Sequence, residues 1–105
     1  MIDDALIVEA GRRLARSAGS GARVLLFGSW ARGEGTPDSD LDFLVIEEKV
    51  ESKLEEMVRL RDALATIDVP VDVLVVSREE AERSRLRPGS VVRRALAEGR
   101  VLVEP

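Results

Sequence analysis

The chain has 105 residues, a formal net charge of -4, and hydrophobic and charged shares of 45% and 34%. This length fits one core, and we expect residues 1–105 to form a single domain. The apolar share is typical of a globular protein rather than of a disordered segment. Because cysteine and histidine are absent, thiolate nucleophiles, zinc-thiolate sites and histidine bases are excluded, which leaves carboxylates and hard cations for metal chemistry.

The charge distribution bears on partners and location. A net charge of -4 argues against direct nucleic-acid binding, although arginines gather within residues 12–16 and 83–94. We interpret these clusters as solvated surfaces, with a docking surface for an acidic partner or RNA as the alternative. No apolar run is long enough to cross a bilayer and no signal peptide opens the chain, so we expect a cytoplasmic protein without membrane contact.

Hydrophobic periodicity predicts helices and strands in alternation along the first two thirds of the chain. The pattern predicts a helix from about Ile2 to Ser17 and a strand at Arg23–Phe27. After a polar, glycine-containing loop, Leu41–Ile46 is predicted to be a strand buried on both faces. Apolar residues three or four apart then predict a helix at Lys49–Ile67.

The remaining third continues the alternation. Val71–Val76 is the segment with the highest β-propensity, and Ser77 is predicted to begin another helix. A short helix is predicted to follow Ser90 and to end at Gly99, and Val101–Val103 is predicted to form a last, edge strand. This order of elements indicates an α/β domain with a small mixed sheet.

A glycine and a serine follow the first predicted strand directly. Gly28 allows the backbone to approach an anion closely, and Ser29, at the start of a predicted helical turn, can offer its hydroxyl and N–H to phosphate oxygens. Taken alone, the pair is weak evidence and is better interpreted as an ordinary turn and helix cap.

Three aspartates stand where two strands would bring them together. Asp40 and Asp42 are two residues apart at the start of an apolar strand, so they are predicted to point to one face about 6 to 7 Å apart. Two like charges there are unfavourable unless they are solvated or neutralised by a divalent cation. Asp72 lies in the apolar run 69–76, where a carboxylate has no packing purpose. Such a cluster can hold one or two Mg²⁺ ions; the alternatives are exposed acids and an ion pair of Asp72 with Arg32 or another arginine.

Together these residues resemble the minimal nucleotidyltransferases of the DNA polymerase beta superfamily. The matching features are a Gly-Ser pair, an Ala-Arg-Gly step, a Ser-Asp-x-Asp segment and a later acid: Gly28, Ser29, Ala31, Arg32, Gly33, Ser39, Asp40, Asp42 and Asp72. The resemblance covers nearly the whole chain. It implies an α/β (α+β) fold of the polymerase beta palm type, with a small mixed sheet flanked by helices.

The resemblance also implies how a nucleoside triphosphate, with ATP as the expected donor, would be bound. Gly28 and Ser29 would contact the β- and γ-phosphates, and Ser39 belongs to the same nucleotide-binding motif. Arg32 would either contact a phosphate or form an ion pair that holds the acidic strand. For Trp30 we expect packing of the helix after the motif, with a base or partner contact as the alternative.

The resemblance further implies metal-dependent catalysis by the three acids. Asp40 and Asp42 would bind two Mg²⁺ ions, with Mn²⁺ as the alternative cation. Asp72 would bind the catalytic metal and activate the acceptor hydroxyl.

Members of this family commonly form the antitoxin half of a pair with a helical HEPN-type RNase toxin, which they silence by adenylylating a tyrosine. The resemblance therefore implies transfer of AMP from ATP to a HEPN partner, within a homo- or hetero-oligomer. The chain has no tyrosine of its own to label. The alternatives are a catalytically idle module that masks its partner, and nucleotidylation of a small molecule.

The face of the sheet that carries the acids is predicted to become apolar farther along both strands. Leu44 and Ile46 follow Asp42 at alternate positions, and Leu74 and Val76 follow Asp72 in the same way. We therefore expect a C-terminal segment, a second copy or a partner protein to cover this face.

Overall fold

The computed structural model describes residues 2–105, which form four helices and four strands. In chain order these are α1 (Asp4–Ala18), β1 (Arg23–Phe27), β2 (Leu41–Glu47), α2 (Lys53–Asp62), β3 (Val71–Ser77), α3 (Arg78–Ser84), α4 (Val91–Glu98) and β4 (Arg100–Val103). Each element predicted from the periodicity is present. Within residues 2–105, no helix combines the length and the apolarity needed to cross a membrane.

The strands form one mixed sheet in the order β3-β2-β1-β4. Strand β1 is antiparallel to both β2 and β4, whereas β2 and β3 are parallel. The prediction of a mixed sheet with the last strand at an edge is confirmed. This topology brings the C-terminal end of β1 and the N-terminal ends of β2 and β3 to the same end of the sheet.

The first face of the sheet packs against α1 and α2. Its buried apolar cluster consists of Ile7, Ala10, Leu14, Val24, Leu26, Leu41, Phe43, Val45, Leu60, Leu64, Val73 and Val75. The members of β1, β2 and β3 alternate along each strand, as expected for side chains that share one face. This cluster contains most of the fully buried side chains and fixes the register of the three strands.

The opposite face of the sheet packs against α3 and α4. Its cluster contains Leu25, Leu44, Val76, Ala81, Val92 and Ala95, with Phe27, Ile46, Leu74 and Leu96 packed around them. The sequence predicts that a C-terminal segment, a second copy or a partner protein covers this apolar face. In the structure, the C-terminal segment of the chain covers it.

The boundaries predicted for the second helix are wrong at both ends. Helix α2 begins at Lys53 rather than Lys49, because the Ser52 hydroxyl caps it by accepting a backbone N–H at 3.3 Å. It ends at Asp62 rather than Ile67, because the following N–H groups bond to carbonyls three residues back, in tight turns. These turns preserve the apolar spacing that made the helix look longer in the sequence.

One acidic side chain is buried at the end of β2. Glu47 is 7% exposed, and its Oε2 atom receives no hydrogen bond from residues 2–105. Burial, and next the hydrogen bond with Glu56 on α2, raises the pKa of Glu47 to about 7. Arg59 donates two hydrogen bonds to Glu56, at 2.7 and 2.9 Å, and holds the pKa of Glu56 below its usual value. The proton between the two carboxyls therefore resides on Glu47.

We predict that Glu47 makes the protein less stable as the pH rises. Its pKa is 4.5 before folding and about 7 after it, so between these values the folded state retains a proton that the unfolded state releases. Glu47→Gln keeps a donor toward Glu56 without this titration. Chemical denaturation should show that, between about pH 5 and about pH 8, the free energy of unfolding of the wild type falls by on the order of 2 kcal/mol more than that of the variant.

The matched control for this prediction is Glu51→Gln. Glu51 is exposed and lies in the loop before α2, so its replacement should leave the wild-type pH dependence unchanged. A Glu47→Gln protein that still loses the same stability between these pH values would show that the titrating group lies elsewhere.

Candidate active site

Two of the predicted acids stand side by side where three strands meet. In the sheet register, Phe27 pairs with Asp42, and Asp42 pairs with Asp72 across the parallel strands β2 and β3. Neighbouring strands lie about 4.8 Å apart, so both carboxylates start from adjacent positions on the face that α3 and α4 cover. Gly28 follows Phe27 directly and closes this end of the sheet.

The turn after β1 brings the backbone against one of these acids. Gly28 has a φ of 77°, and its carbonyl accepts a hydrogen bond from the Arg32 N–H at 3.2 Å, while the Ser29 carbonyl accepts from Glu34 at 2.8 Å. A Cβ at Gly28 would collide with the Asp42 carboxylate. The Arg32 hydrogen bond spans four residues, as in one turn of an α-helix, and glycine is required where the segment touches the acid.

The electrostatic environment of Asp42 is unfavourable for its charge. Burial raises the pKa of Asp42 above its usual range, the negative charges of Asp72 and Asp40 raise it further, and Arg32 acts in the opposite direction. No ion pair among residues 2–105 involves any of the three acids. Asp42 thus experiences the charges of two other carboxylates and forms no ion pair, and a divalent cation would supply the missing positive charge.

Asp40 stands apart from the other two acids. It precedes the first residue of β2 and lines a neighbouring groove with Val58 and Arg61, whereas Asp42 and Asp72 line a common cleft. As the side chains stand, no three acidic groups within residues 2–105 are close enough together to hold a metal ion. Because the strand does not fix Asp40, its side chain must turn toward the pair to complete the predicted set.

The observed donors fit a hard cation. Asp42 and Asp72 present carboxylate oxygens, the ligands that Mg²⁺ and Mn²⁺ prefer, and Asp40 is near enough to raise the pKa of Asp42. Two negative groups fixed side by side without a cation are the arrangement that a divalent ion stabilises.

A cleft of about 470 Å³ opens over the paired aspartates. One wall is formed by Gly28 and Arg32, and the other by two charged residues of α4, Arg94 and Glu98. Neither of the α4 residues was identified from the sequence, where the arginine cluster was interpreted as a solvated surface. Their spacing of four residues on one short helix is the signal that indicates a shared face.

Arg32 ties the turn to the wall of the cleft. Its Nε donates to Glu34 at 2.8 Å and its Nη1 donates to Glu98 at 3.1 Å. These two hydrogen bonds raise the pKa of Arg32 above its ordinary value. The ion pair between Arg32 and Asp72, considered as an alternative from the sequence, is not formed, and the guanidinium connects the loop to α4 instead.

Trp30 and Ser39 shape the loop that leads to Asp40. The indole N–H of Trp30 donates to the Ser39 carbonyl at 3.3 Å, and the ring packs on the first apolar cluster. Gly35 lies so close to the ring that a Cβ there would collide with it. The Ser39 hydroxyl accepts the Thr36 N–H at 3.1 Å. Packing is thus the observed role of Trp30, within a folded loop rather than beside a helix, and the nucleotide contact of Ser39 stays a prediction.

The fold and the site define a class: a nucleotidyl-transfer domain, in which a Gly-Ser turn faces carboxylates at the end of a small mixed sheet. The family model described as the nucleotidyltransferase domain matches residues 8–103. The chain therefore belongs to the nucleotidyltransferase domain family. No curated protein matches the chain in sequence.

Solved structures share this fold at low sequence identity. A chain of a toxin-antitoxin complex with AMP-PNP has a TM-score of 0.65 at 20% identity, over 93% of this chain and 73% of that chain. A Sulfolobus solfataricus protein described as a nucleotidyltransferase has a TM-score of 0.63 at 22% identity, over 95% and 78%. A complex of tri-AMPylated Shewanella oneidensis HEPN toxin with MNT antitoxin contains a chain with a TM-score of 0.59 at 19% identity, over 96% and 72%. At these identities the similarity establishes the fold.

We predict that Gly28→Ala destabilises the protein more than Gly33→Ala does. The two glycines have φ values of 77° and 76°, so alanine is strained at both positions by about 1–2 kcal/mol. Only at Gly28 would the added Cβ also meet Asp42, since nothing lies within 4 Å of it at Gly33. Chemical denaturation should show an additional loss of about 1 kcal/mol for Gly28→Ala. Equal losses would contradict the close approach of the turn to the acid.

We also predict that Asp42→Asn stabilises the metal-free protein and removes its response to Mg²⁺. The substitution abolishes the repulsion with Asp72, so Tm in EDTA should rise. Saturating Mg²⁺ should raise the wild-type Tm by about 5 °C and leave the variant nearly unchanged. Asp38→Asn, at an exposed acid of the preceding loop, should respond like the wild type. A full Mg²⁺ response in Asp42→Asn would argue against a cation site at this carboxylate.

Proposed function

We propose that this chain is a metal-dependent adenylyltransferase that transfers AMP from ATP to a tyrosine of a HEPN-type toxin and so acts as a cytoplasmic antitoxin. One observation carries the proposal: the Gly28 turn touches Asp42, which is paired in register with Asp72, at an open end of the sheet. Membership of the nucleotidyltransferase domain family supports the same chemistry.

The proposed roles follow the positions of the side chains. Asp42 and Asp72 hold Mg²⁺, or Mn²⁺, and Asp40 joins them when its side chain turns toward the pair. When bound, the ions neutralise the carboxylates and withdraw charge from the reacting phosphate. Gly28 and Ser29 lie at the cleft end of β1, where the backbone and the serine hydroxyl are placed to contact phosphate oxygens.

The transfer step is an in-line displacement at the α-phosphorus of ATP. The tyrosine oxygen of the partner forms a bond to this phosphorus while its proton passes to the carboxylate of Asp72. The bond from the α-phosphorus to the oxygen bridging to the β-phosphate breaks, and pyrophosphate leaves with the electron pair. Asp72 is solvent-exposed, so it can return the proton to water.

Two observations support a HEPN-type partner as the acceptor. The fold is shared with chains of toxin-antitoxin complexes, one with AMP-PNP and one whose HEPN toxin is tri-AMPylated. The chain itself contains no tyrosine, so a tyrosine acceptor has to be on another protein. The proposal therefore requires a hetero-oligomer, at least during transfer.

A catalytically idle module that neutralises its partner by masking is the second candidate. The observation in its favour is that, within residues 2–105, no three acidic groups are gathered closely enough to hold a metal ion as the side chains stand. In that case the aspartates would be dispensable for neutralisation, and binding alone would suffice.

The distinguishing prediction concerns which phosphate of ATP labels the partner. With Mg²⁺ and a cognate HEPN-type protein, ATP labelled at the α-phosphate should label the partner, and ATP labelled at the γ-phosphate should not. Asp42→Asn should lower the rate of labelling by about 10³-fold, because it removes a ligand of the reacting ion. Asp38→Asn is the matched control and should label at the wild-type rate.

A binding measurement completes the test. If Asp42→Asn still forms the complex, as judged by size-exclusion chromatography, but no longer neutralises the toxin, transfer is the function. If the same variant binds and neutralises like the wild type, masking is the function and the adenylyltransferase proposal is wrong.

A further inference from the structure

Helix α4 forms one wall of the cleft through a stripe of three side chains. Val91, Arg94 and Glu98 are spaced by three and four residues, so they share one face of the helix. All three line the cleft that contains Asp42 and Asp72. The opposite face of α4 is anchored in the second apolar cluster, so packing holds the stripe over the paired acids.

Two arginines line this cleft, and only one of them is already neutralised. Arg32 is bound by Glu34 and Glu98. Arg94 lies one helical turn before Glu98, yet no ion pair among residues 2–105 includes it. Because Glu98 is occupied by Arg32, the nearest carboxylate on the same helix face does not neutralise Arg94.

Arg94 also does not neutralise the aspartates below it. The charges that shift the pKa of Asp42 are those of Asp72, Asp40 and Arg32, and Arg94 is not among them. Arg94 is exposed and lines the same cleft as Asp42 and Asp72. A positive side chain without an ion-pair partner that shares a cleft with two carboxylates can bind the anionic part of a ligand, and a divalent cation held by the carboxylates would help to neutralise the same anion.

We propose that Arg94 binds the β- and γ-phosphates of the nucleoside triphosphate and holds the pyrophosphate as it leaves. This inference rests on the proposed function and names the residue that selects a triphosphate. When the bond between the α-phosphorus and the bridging oxygen breaks, the electron pair passes to pyrophosphate. The negative charge therefore grows on the group that Arg94 holds, so the contact strengthens during the reaction.

The contact predicts a specific pattern of ligand selectivity. ATP and inorganic pyrophosphate carry the phosphates that Arg94 binds, whereas AMP carries only the α-phosphate. Removing the guanidinium should therefore weaken the binding of ATP and of pyrophosphate and leave the binding of AMP nearly unchanged.

Arg93 provides a matched control on the same helix. It carries the same charge, is exposed, and forms no ion pair within residues 2–105, but it does not line the cleft. Arg94→Gln and Arg93→Gln thus remove one positive charge from adjacent positions of α4. They differ in whether the side chain faces the site.

The experiment is calorimetric titration of the full chain, in Mg²⁺, with a non-hydrolysable ATP analogue, with pyrophosphate and with AMP. Arg94→Gln should raise the Kd for the ATP analogue and for pyrophosphate by about tenfold or more, and that for AMP by less than about twofold. Arg93→Gln should change each Kd by less than about twofold, since an exposed charge away from the ligand is screened. Both variants should keep the wild-type Tm, because both side chains are exposed.

Each other outcome overturns the inference. If both variants weakened binding of the ATP analogue equally, the effect would come from the net positive charge of α4 rather than from a contact made by Arg94. If Arg94→Gln weakened the binding of AMP as much as that of the ATP analogue, Arg94 would contact the α-phosphate or the nucleoside. An unchanged Kd of Arg94→Gln for the ATP analogue would show that Arg94 contacts none of the phosphates.

The same titrations separate this inference from the proposed function. A wild-type chain that binds the ATP analogue through Arg94 but transfers no AMP to its partner would refute the adenylyltransferase proposal and leave the phosphate site standing. A wild-type chain that binds neither the ATP analogue nor pyrophosphate would refute both.

Discussion

The parallel pairing of Asp42 with Asp72 is the constraint on which the site depends. The backbone ladder fixes the two carboxylates side by side, and a shift of β2 by one residue would turn Asp42 toward the apolar cluster under α1 and α2. Without an ion-pair partner, the acids raise the free energy of the folded state, as the raised pKa of Asp42 indicates. The fold therefore retains an unfavourable electrostatic interaction that a bound divalent cation would relieve.

Packing on both faces of the sheet offsets the repulsion between the two carboxylates. Helices α1 and α2 bury one face, and α3 and α4 bury the other, so the strands cannot slide to separate the charges. Helix α4 has a second role, because its exposed stripe carries Arg94 and Glu98 into the cleft. Glu98 binds Arg32 and thereby connects the turn after β1 to the helix. The segment that completes the core is thus also the segment that completes the site.

The sequence was sufficient for the strands and for the paired acids, because period-two burial and a carboxylate within an apolar run are local patterns. It was insufficient where the outcome depends on contacts between distant segments. Arg94 looked like one more member of a basic cluster, since nothing local shows which arginine faces the sheet edge. Asp40 was predicted to point to the same face as Asp42, but it precedes Leu41, which is both the predicted and the observed first residue of β2, and it lines a neighbouring groove. Helix α2 is shorter than predicted because Ser52 caps its first turn and tight turns follow its last residue, and the spacing of apolar residues shows neither feature.

Strand β2 carries two acids whose pKa values are raised, and their surroundings give them different chemistry. Glu47 is enclosed under α2, where burial and Glu56 favour the protonated form, so the proton itself resolves the repulsion. Asp42 lies at the open end of the same strand, where a cleft admits ions and its neighbours are Asp72 and a glycine turn. A raised pKa therefore does not identify a functional acid by itself. The open cleft beside Asp42 and the enclosed position of Glu47 distinguish the acid that a cation can reach from the acid that only changes the stability of the fold with pH.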